Sequence, residues 1–350
     1  MLFRSPDDVI WVHDYHFIPL ASELRALGVK NRIGFFLHIP WPAPELFVIL
    51  PNHARLAVNL ANYDVIGFQT KRSFENLMSY LRDELNVENQ DGRFEAFGRK
   101  VTAGVWPISI DAEEFARFAA APTSPATRRL KNSLDGRKLM ISVDRLDYSK
   151  GIPQRIEAIG RFLEMHPEYR RRFSALQIAP TTREAIPEYA EINREVAQAA
   201  GRVNGLFGDL DWAPIRYVNR SVGRSTLAQL FRSARVGAVT PLRDGMNLVA
   251  KEYVMAQDAD DPGVLVLSRF AGAANELRGA LFVNPYDADG MAHAFRAALE
   301  MPREERVARM LPMMAHVREH DVHRWAHEFL EALSPDGPTA EHERALESVQ

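Results

Sequence analysis

The stretch Val236-Gly-Ala-Val-Thr-Pro-Leu-Arg-Asp-Gly-Met-Asn-Leu-Val-Ala-Lys-Glu-Tyr-Val254 decides the fold class, because a strand, a polar turn and a helix start follow one another in it without a gap. Val236 to Thr240 carries no charge, which suits a parallel strand covered on both faces. Pro241 has no N–H to give and ends the ladder. Asp244-Gly245 permits a tight turn, and Asn247 is placed to cap a helix running from about Leu248 to Ala256. The free N–H groups and positive dipole end of that helix favour an anion, which makes its start a phosphate seat. Asp244 and Glu252, just over one helical turn into the helix, set two carboxylates beside that seat. Carboxylates repel phosphate, so they fit there only as hydrogen-bond acceptors for hydroxyl groups. A diphosphate flanked by polyols is a sugar nucleotide. An ordinary turn followed by a solvated Glu would give the same local pattern, and the weight therefore comes from the surroundings.

Outward from this stretch the chain alternates short apolar runs with amphipathic segments. Asp8–His13, Arg32–Leu37 and Val65–Phe68 read as strands, Pro19–Leu27 and Ser73–Leu85 as helices, Gly92–Val101 as a hairpin and Val105–Ser109 as a last strand. Ala121–Thr127 reads as a linker. A second series follows, with strands at Lys138–Val143, Ser174–Ala179, Ile215–Val218, Val236–Thr240, Val264–Ser268 and Leu281–Val283. The pattern is that of an α/β protein with two doubly wound, Rossmann-like domains. Residues 1–120 are the expected first domain and 121–320 the second. Residues 321–333 carry Trp325, Phe329 and Leu333 on one helical face, which predicts a helix packing back on the first domain. Residues 334–350 are polar and expected to form a mobile tail.

Composition narrows the function classes. A chain of 350 residues accommodates about two domains, each with its own core. A hydrophobic share of 46% with 25% charged residues is ordinary for a globular protein, and a net charge of −3 gives no global pull toward nucleic acid or an anionic membrane. No cysteine is present, which excludes disulfides and thiolate catalysis and fits a reducing cytoplasm. The start, Met-Leu-Phe-Arg-Ser-Pro-Asp-Asp8, has acids where a signal peptide needs an apolar core. No later apolar run is long enough to span a bilayer. A cytoplasmic protein acting on small molecules is expected, and a homo-oligomer is left open.

Ligands of open α/β sheets bind outside the carboxyl ends of the strands, so two such domains offer a cleft and the polar residues after strand ends carry the argument. Asp144-Arg-Leu-Asp-Tyr-Ser-Lys-Gly151 brings Arg145 and Lys150 to the mouth of the second sheet. A forked guanidinium and a point-charge ammonium together can offset the charge that grows on a diphosphate leaving group. Taken alone, the segment is also what a pair of surface cations would look like. In the first domain His13-Asp-Tyr-His16 and His38-Ile-Pro-Trp-Pro42 place Asp14 and His38 toward the same cleft. His13, His16 and His38 are weak metal ligands on spacing, because His13 and His16 stand at a strand end rather than on one helix face. Asp209-Leu-Asp211 and Asp258-Ala-Asp260 read as chance pairs in polar loops.

His13-Asp-Tyr-His16, Gly34-Phe-Phe-Leu-His-Ile-Pro40, Asp144 to Gly151, Gly201-Arg-Val-Asn-Gly205, Thr240 to Val254 and Phe270-Ala-Gly-Ala-Ala-Asn-Glu276 together resemble the signature segments of the trehalose-6-phosphate synthases, in that family's order. The resemblance implies two facing Rossmann-like domains, the GT-B arrangement, and a retaining glycosyltransferase that moves glucose from UDP-glucose to glucose 6-phosphate in trehalose biosynthesis, without a metal or other cofactor. It implies that Arg145, Lys150 and the backbone of Asn247, Leu248 and Val249 hold the diphosphate, with Gly245 and Met246 in the same loop, and that Glu252 holds the ribose. It further implies that Asp244 and His38 hold donor glucose hydroxyls, that Asp14 lies beside the sugars, and that Arg202 contacts the acceptor phosphate. A related transferase, such as a glucosylglycerol-phosphate synthase, or a non-catalytic nucleotide-sugar-binding relative would share many of these segments.

No side chain in these segments is an evident nucleophile. Same-face substitution through an oxocarbenium-like state is expected, with the departing phosphate taking the proton of the attacking hydroxyl. The family opens with a glycine-rich loop, and none precedes His13 here. The first domain is therefore expected to be incomplete at its N-terminus, and the chain to bind nucleotide better than it turns over.

Overall fold

Four-residue apolar runs recur along the chain, and each becomes a buried strand because both of its faces are then covered by helices. The structure, a computed structural model, describes Ser5, residues 8–181 and residues 187–334. All but the first residue of the expected tail 334–350 lies outside those residues. The chain divides into one unit of residues 1–108 and 322–350 and a second of residues 109–321.

In the first unit the strands are β1 (Ile10–His13), β2 (Ile33–Phe36), β3 (Val65–Phe68), β4 (Asn89–Gln90), β5 (Arg93–Ala96) and β6 (Arg99–Val105), with helices α1 (Leu20–Ala26), α2 (Pro44–Phe47), α3 (His53–Leu60) and α4 (Lys71–Leu85). They form one sheet in the order β1-β2-β3-β6-β5-β4. β1, β2, β3 and β6 are parallel neighbours, while β5 and β4 run antiparallel beside β6. One expectation changes here. The second arm of the hairpin is itself the last parallel strand: β6 pairs with β5 over Arg99–Thr102 and with β3 over Thr102–Val105, and Trp106 to Ser109 of the expected last strand lie beyond its end. The described strands β1, β2, β3 and β6 lie in chain order, with no reversal among them.

The second unit contains β7 (Lys138–Val143), β8 (Phe173–Ile178), β9 (Ile215–Val218), β10 (Val236–Val239), β11 (Val264–Ser268) and β12 (Leu281–Val283). Its helices are α5 (Ala112–Ala120), α6 (Pro125–Leu134), α7 (Ile152–Met165), α8 (Pro187–Phe207), α9 (Arg224–Ser233), α10 (Leu248–Ala256), α11 (Ala288–Glu300) and α12 (Arg303–Glu319). Every strand pair is parallel and the order is β12-β11-β10-β7-β8-β9. The order reverses between β7 and β10, which makes the loops after these two strands face each other across a topological switch point.

The expected domain boundary at residue 120 moves. α5 belongs to the second unit, where Phe115 is fully buried with Phe231 of α9 at a ring separation of 6.2 Å. The expected linker is half helix, because Ser124 caps α6 by accepting from the Thr127 N–H and Pro125 takes the first helical position, where its missing N–H costs nothing. Gln229 of α9 pins this start by accepting from the Ser124 N–H at 2.8 Å.

α13 (Val322–Leu333) lies on the first unit. Phe329 stacks on Trp11 at 4.6 Å and meets Phe36 and Trp106 edge-on at 5.7 and 5.3 Å. The Trp325 indole N–H donates to the Trp106 carbonyl at 3.1 Å, and the Arg32 guanidinium to the Leu333 carbonyl at 2.8 Å. The approach needs glycine beneath it. A Cβ at Gly34 would come within 2.8 Å of the Phe329 ring.

Candidate active site

At the switch point of the second unit the two facing loops are tied together by a buried arginine. Ile152, Arg155, Ile156 and Ile159 share one face of α7, and Arg155 is wholly buried among them. Its guanidinium donates to Asp144 Oδ2 at 2.6 Å, Gln177 Oε1 at 2.9 Å, Thr240 Oγ1 at 2.9 Å and the Lys150 carbonyl at 3.2 Å. One side chain thereby fixes the ends of β7, β8 and β10 and the turn at Lys150. The sequence reading passed over Arg155; the signal was a cation on the apolar face of an amphipathic helix, where a charge is retained only with partners.

On this frame the predicted residues converge. Lys150 Nζ donates to Asp244 Oδ2 at 2.5 Å, and Asn247 Nδ2 donates to the same oxygen at 3.0 Å. Asp244 Oδ1 remains able to accept from a hydroxyl, and the ammonium keeps two further N–H donors. Arg145 stands exposed one residue after Asp144, with no side-chain hydrogen bond or ion pair among the described residues. Asn247 occupies the N-cap position of α10, with a correction to its role: at φ 73° its side chain makes no capping hydrogen bond and turns back to Asp244 instead. The first N–H groups of α10, at Leu248 and Val249, therefore face outward without a side-chain cap, the arrangement that suits a phosphate.

The Asp244–Met246 loop is held by the chain from Phe270 to Glu276. The Asp244 N–H donates to the Phe270 carbonyl, and the N–H groups of Gly272 and Ala273 donate to the carbonyls of Asp244 and Met246. A Cβ at Gly272 would lie 1.9 Å from the Gly245 carbonyl oxygen, so only glycine permits this contact. Met246 is buried beneath the loop. Behind it Lys251 Nζ pairs with Glu276 Oε2 at 2.9 Å, and Glu276 accepts from or pairs with His316 Nε2 at 3.1 Å. Glu252, on α10, is pushed up to about 7 by burial, partly offset by the positive charge of Arg224. It is protonated over a larger range of pH than an exposed carboxyl.

Arg202 does not join this group. Two residues on, Asn204 accepts from the Ile215 N–H and donates to the Ile215 carbonyl, both at 2.9 Å, at the first residue of β9. Near the other end of α8, Asn193 accepts from Asn219, just beyond the last residue of β9. α8 thus runs antiparallel to the strands, and Arg202 lies at their N-terminal edge, whereas Arg145 and Lys150 follow the C-terminal end of β7. A carbonyl-end ligand of this sheet cannot be reached from there.

In the first unit the polar groups follow the ends of consecutive strands. Asp14, directly after β1, has φ 72° and accepts from the Tyr15 N–H, which opens a short 3-10 turn. His13 Nδ1 lies 3.1 Å from His38 Nε2, and His38 Nδ1 lies 3.4 Å from Gln69 Nε2. Partial burial, greater for His38 than for the more exposed His13, holds both imidazoles below the usual histidine range. His38 lowers His13 further, and Asp14 pulls both back up. His16 takes no part in this group; its ring stacks on Tyr15 at 3.8 Å. Among the described residues, no three His, Cys, Asp or Glu side chains gather as a metal site, and no helix is long and apolar enough to cross a membrane.

Residues 2–335 match the model of the family described as Glycosyltransferase family 20. Over 332 residues the chain is 55% identical to the trehalose-6-phosphate synthase of Sinorhizobium fredii, covering 94% of this chain and 72% of that protein. Its fold matches a UDP-forming alpha,alpha-trehalose-phosphate synthase from Burkholderia xenovorans in complex with glucose-6-phosphate, with a TM-score of 0.92, 51% identity and coverage of 95% of this chain and 75% of that one. It also matches the E. coli protein bound with UDP-2-fluoro glucose, with a TM-score of 0.93 and 45% identity over 96% of this chain and 75% of that one.

Proposed function

Since the chain belongs to glycosyltransferase family 20, whose trehalose-phosphate synthase members share its GT-B fold, we propose that it is a UDP-forming trehalose-6-phosphate synthase. It transfers glucose from UDP-glucose to glucose 6-phosphate with retention, in trehalose biosynthesis. The observation that carries this reading is the convergence of Lys150, Asp244 and the uncapped start of α10 at the switch point of an all-parallel sheet. Arg145, Lys150 and the N–H groups of Leu248 and Val249 would take the diphosphate, Asp244 Oδ1 a glucose hydroxyl and Glu252 the ribose. Asp14 and the histidine group that contains His38 would serve sugar hydroxyls.

The chemistry asked of these groups is charge stabilisation and positioning. As the glycosyl–phosphate bond lengthens, negative charge builds on the leaving diphosphate, where two cations and a helix start are already aimed. The acceptor hydroxyl attacks from the same face and gives its proton to the departing phosphate oxygen, so no enzyme nucleophile is required. The positive groups already present can do the work of a metal at the diphosphate, and donor binding should survive EDTA. The cysteine-free composition supports a cytoplasmic setting. Coupled detection of UDP tests the function: release from UDP-glucose should depend on glucose 6-phosphate and yield the α,α-linked product. Release independent of the acceptor, or none, would overturn it.

A further inference from the structure

The polar groups at the ends of β1, β2, β3 and β6 form a single directed chain of hydrogen bonds. Its direction is set at one end by the backbone. The Ile108 N–H can only donate, and it does so to Gln69 Oε1 at 2.9 Å, which fixes the amide so that its NH2 faces His38 Nδ1. His38 Nδ1 must then be an acceptor, and a neutral imidazole with an acceptor at Nδ1 carries its proton on Nε2. That proton is directed at His13 Nδ1, 3.1 Å away, which in turn places the proton of His13 on Nε2. Both nitrogens of His38 are thus engaged within the protein. His13 is exposed, its ring is held against Trp11 at 4.7 Å, and no hydrogen bond among the described residues occupies its Nε2.

We propose that His13 presents a fixed Nε2–H donor to a hydroxyl or phosphate oxygen of a sugar substrate, and that Gln69 is the positioning residue that sets its tautomer through His38. The proposal rests on the transferase reading for the identity of the ligand, but the direction of the chain does not. His38 then acts as a relay of orientation, and the substrate-facing donor is the histidine one strand further out. Gln69 is buried, with 3% exposure, so its amide cannot be turned by solvent.

Long-range proton–nitrogen spectra of the full chain near neutral pH test the chain directly. His13 and His38 should both be neutral Nε2–H tautomers, and Gln69→Met should leave each as a mixture. Titration with UDP-glucose and with glucose 6-phosphate should move the His13 Nε2–H resonance for at least one of them. In steady-state assays His13→Phe should lower kcat/KM roughly tenfold, the worth of one neutral hydrogen bond, whereas His13→Gln, which keeps an amide N–H near that position, should stay within about threefold of the unaltered chain. An Nδ1–H tautomer at either histidine, a His13 resonance unmoved by both substrates, or equal losses in the two His13 variants would overturn the proposal. Absence of turnover in the unaltered chain would count against the transferase reading instead, and the spectra would still decide the direction of the chain.

Discussion

The two sheets solve the same problem in different ways. In the second unit the strand order reverses between β7 and β10, and the loops after those strands supply Arg145, Lys150, Asp244 and the start of α10. In the first unit β1, β2, β3 and β6 lie side by side in chain order, and the groups after them form a lateral row of His13, His38, Gln69 and the Ile108 N–H. A reversal makes charged groups converge on a point, which suits a diphosphate. A row in chain order makes neutral groups orient one another, which suits hydroxyls. The charged end needs a buried counter-frame and has one in Arg155; the neutral end needs only shape, which α13 gives it by covering the sheet.

The largest effect should come from breaking that frame. Arg155→Ala leaves Asp144 buried and unpaired, and should cost about 3–5 kcal/mol of unfolding free energy in urea. A loss under about 1 kcal/mol would mean that the facing loops hold themselves. Next, Phe329→Ala removes a fully buried ring from between Trp11, Phe36 and Trp106, and should cost about 3 kcal/mol or more by the same measurement, with UDP affinity unchanged. A marked loss of UDP affinity in Phe329→Ala would erase the distinction between the two units.

A smaller effect isolates charge from fold. Arg145→Ala should leave thermal unfolding where it is, because the side chain is exposed, and weaken UDP binding by about 1.5–3 kcal/mol in calorimetry. Unchanged affinity would move the diphosphate elsewhere. The smallest expected effect is a slope with pH. The Glu252 carboxyl, ordinarily near 4.5, holds its proton in the folded chain until about 7, so it favours the folded state at low pH and loses that contribution as pH rises between the two values. Glu252→Gln should therefore flatten the fall in stability from pH 5 to 7. If Glu252 accepts from ribose hydroxyls, UDP binding by the unaltered chain should tighten as pH rises through about 7, and Gln should remove that dependence as well.

The switch-point loop was legible because its information is local: a charge-free strand, Pro241, Asp244-Gly245 and a helix start follow one another within one turn of chain. Asn247 was placed correctly and given the wrong bond, since a residue at an N-cap position may take a positive φ and spend its amide elsewhere. Arg202 was assigned from a short motif, Gly201 to Gly205, whose position along α8 could not show which end of the sheet it reaches. β6 was read as two segments because alternation in the hairpin and a covered run after it look like different strands.

By itself the sequence determined the alternation of strands and helices, the two series of strands and the family, because periodicity and short motifs are written in neighbouring residues. Only the tertiary structure decided which strands lie side by side, that α5 serves the second unit, and that Arg155 and Gln69 set the groups around them. Those facts depend on pairings such as Arg155 with Thr240 or Gln69 with Ile108, far apart in the chain. A buried polar group gains its meaning from the partner that satisfies it, and the partner is chosen by the fold.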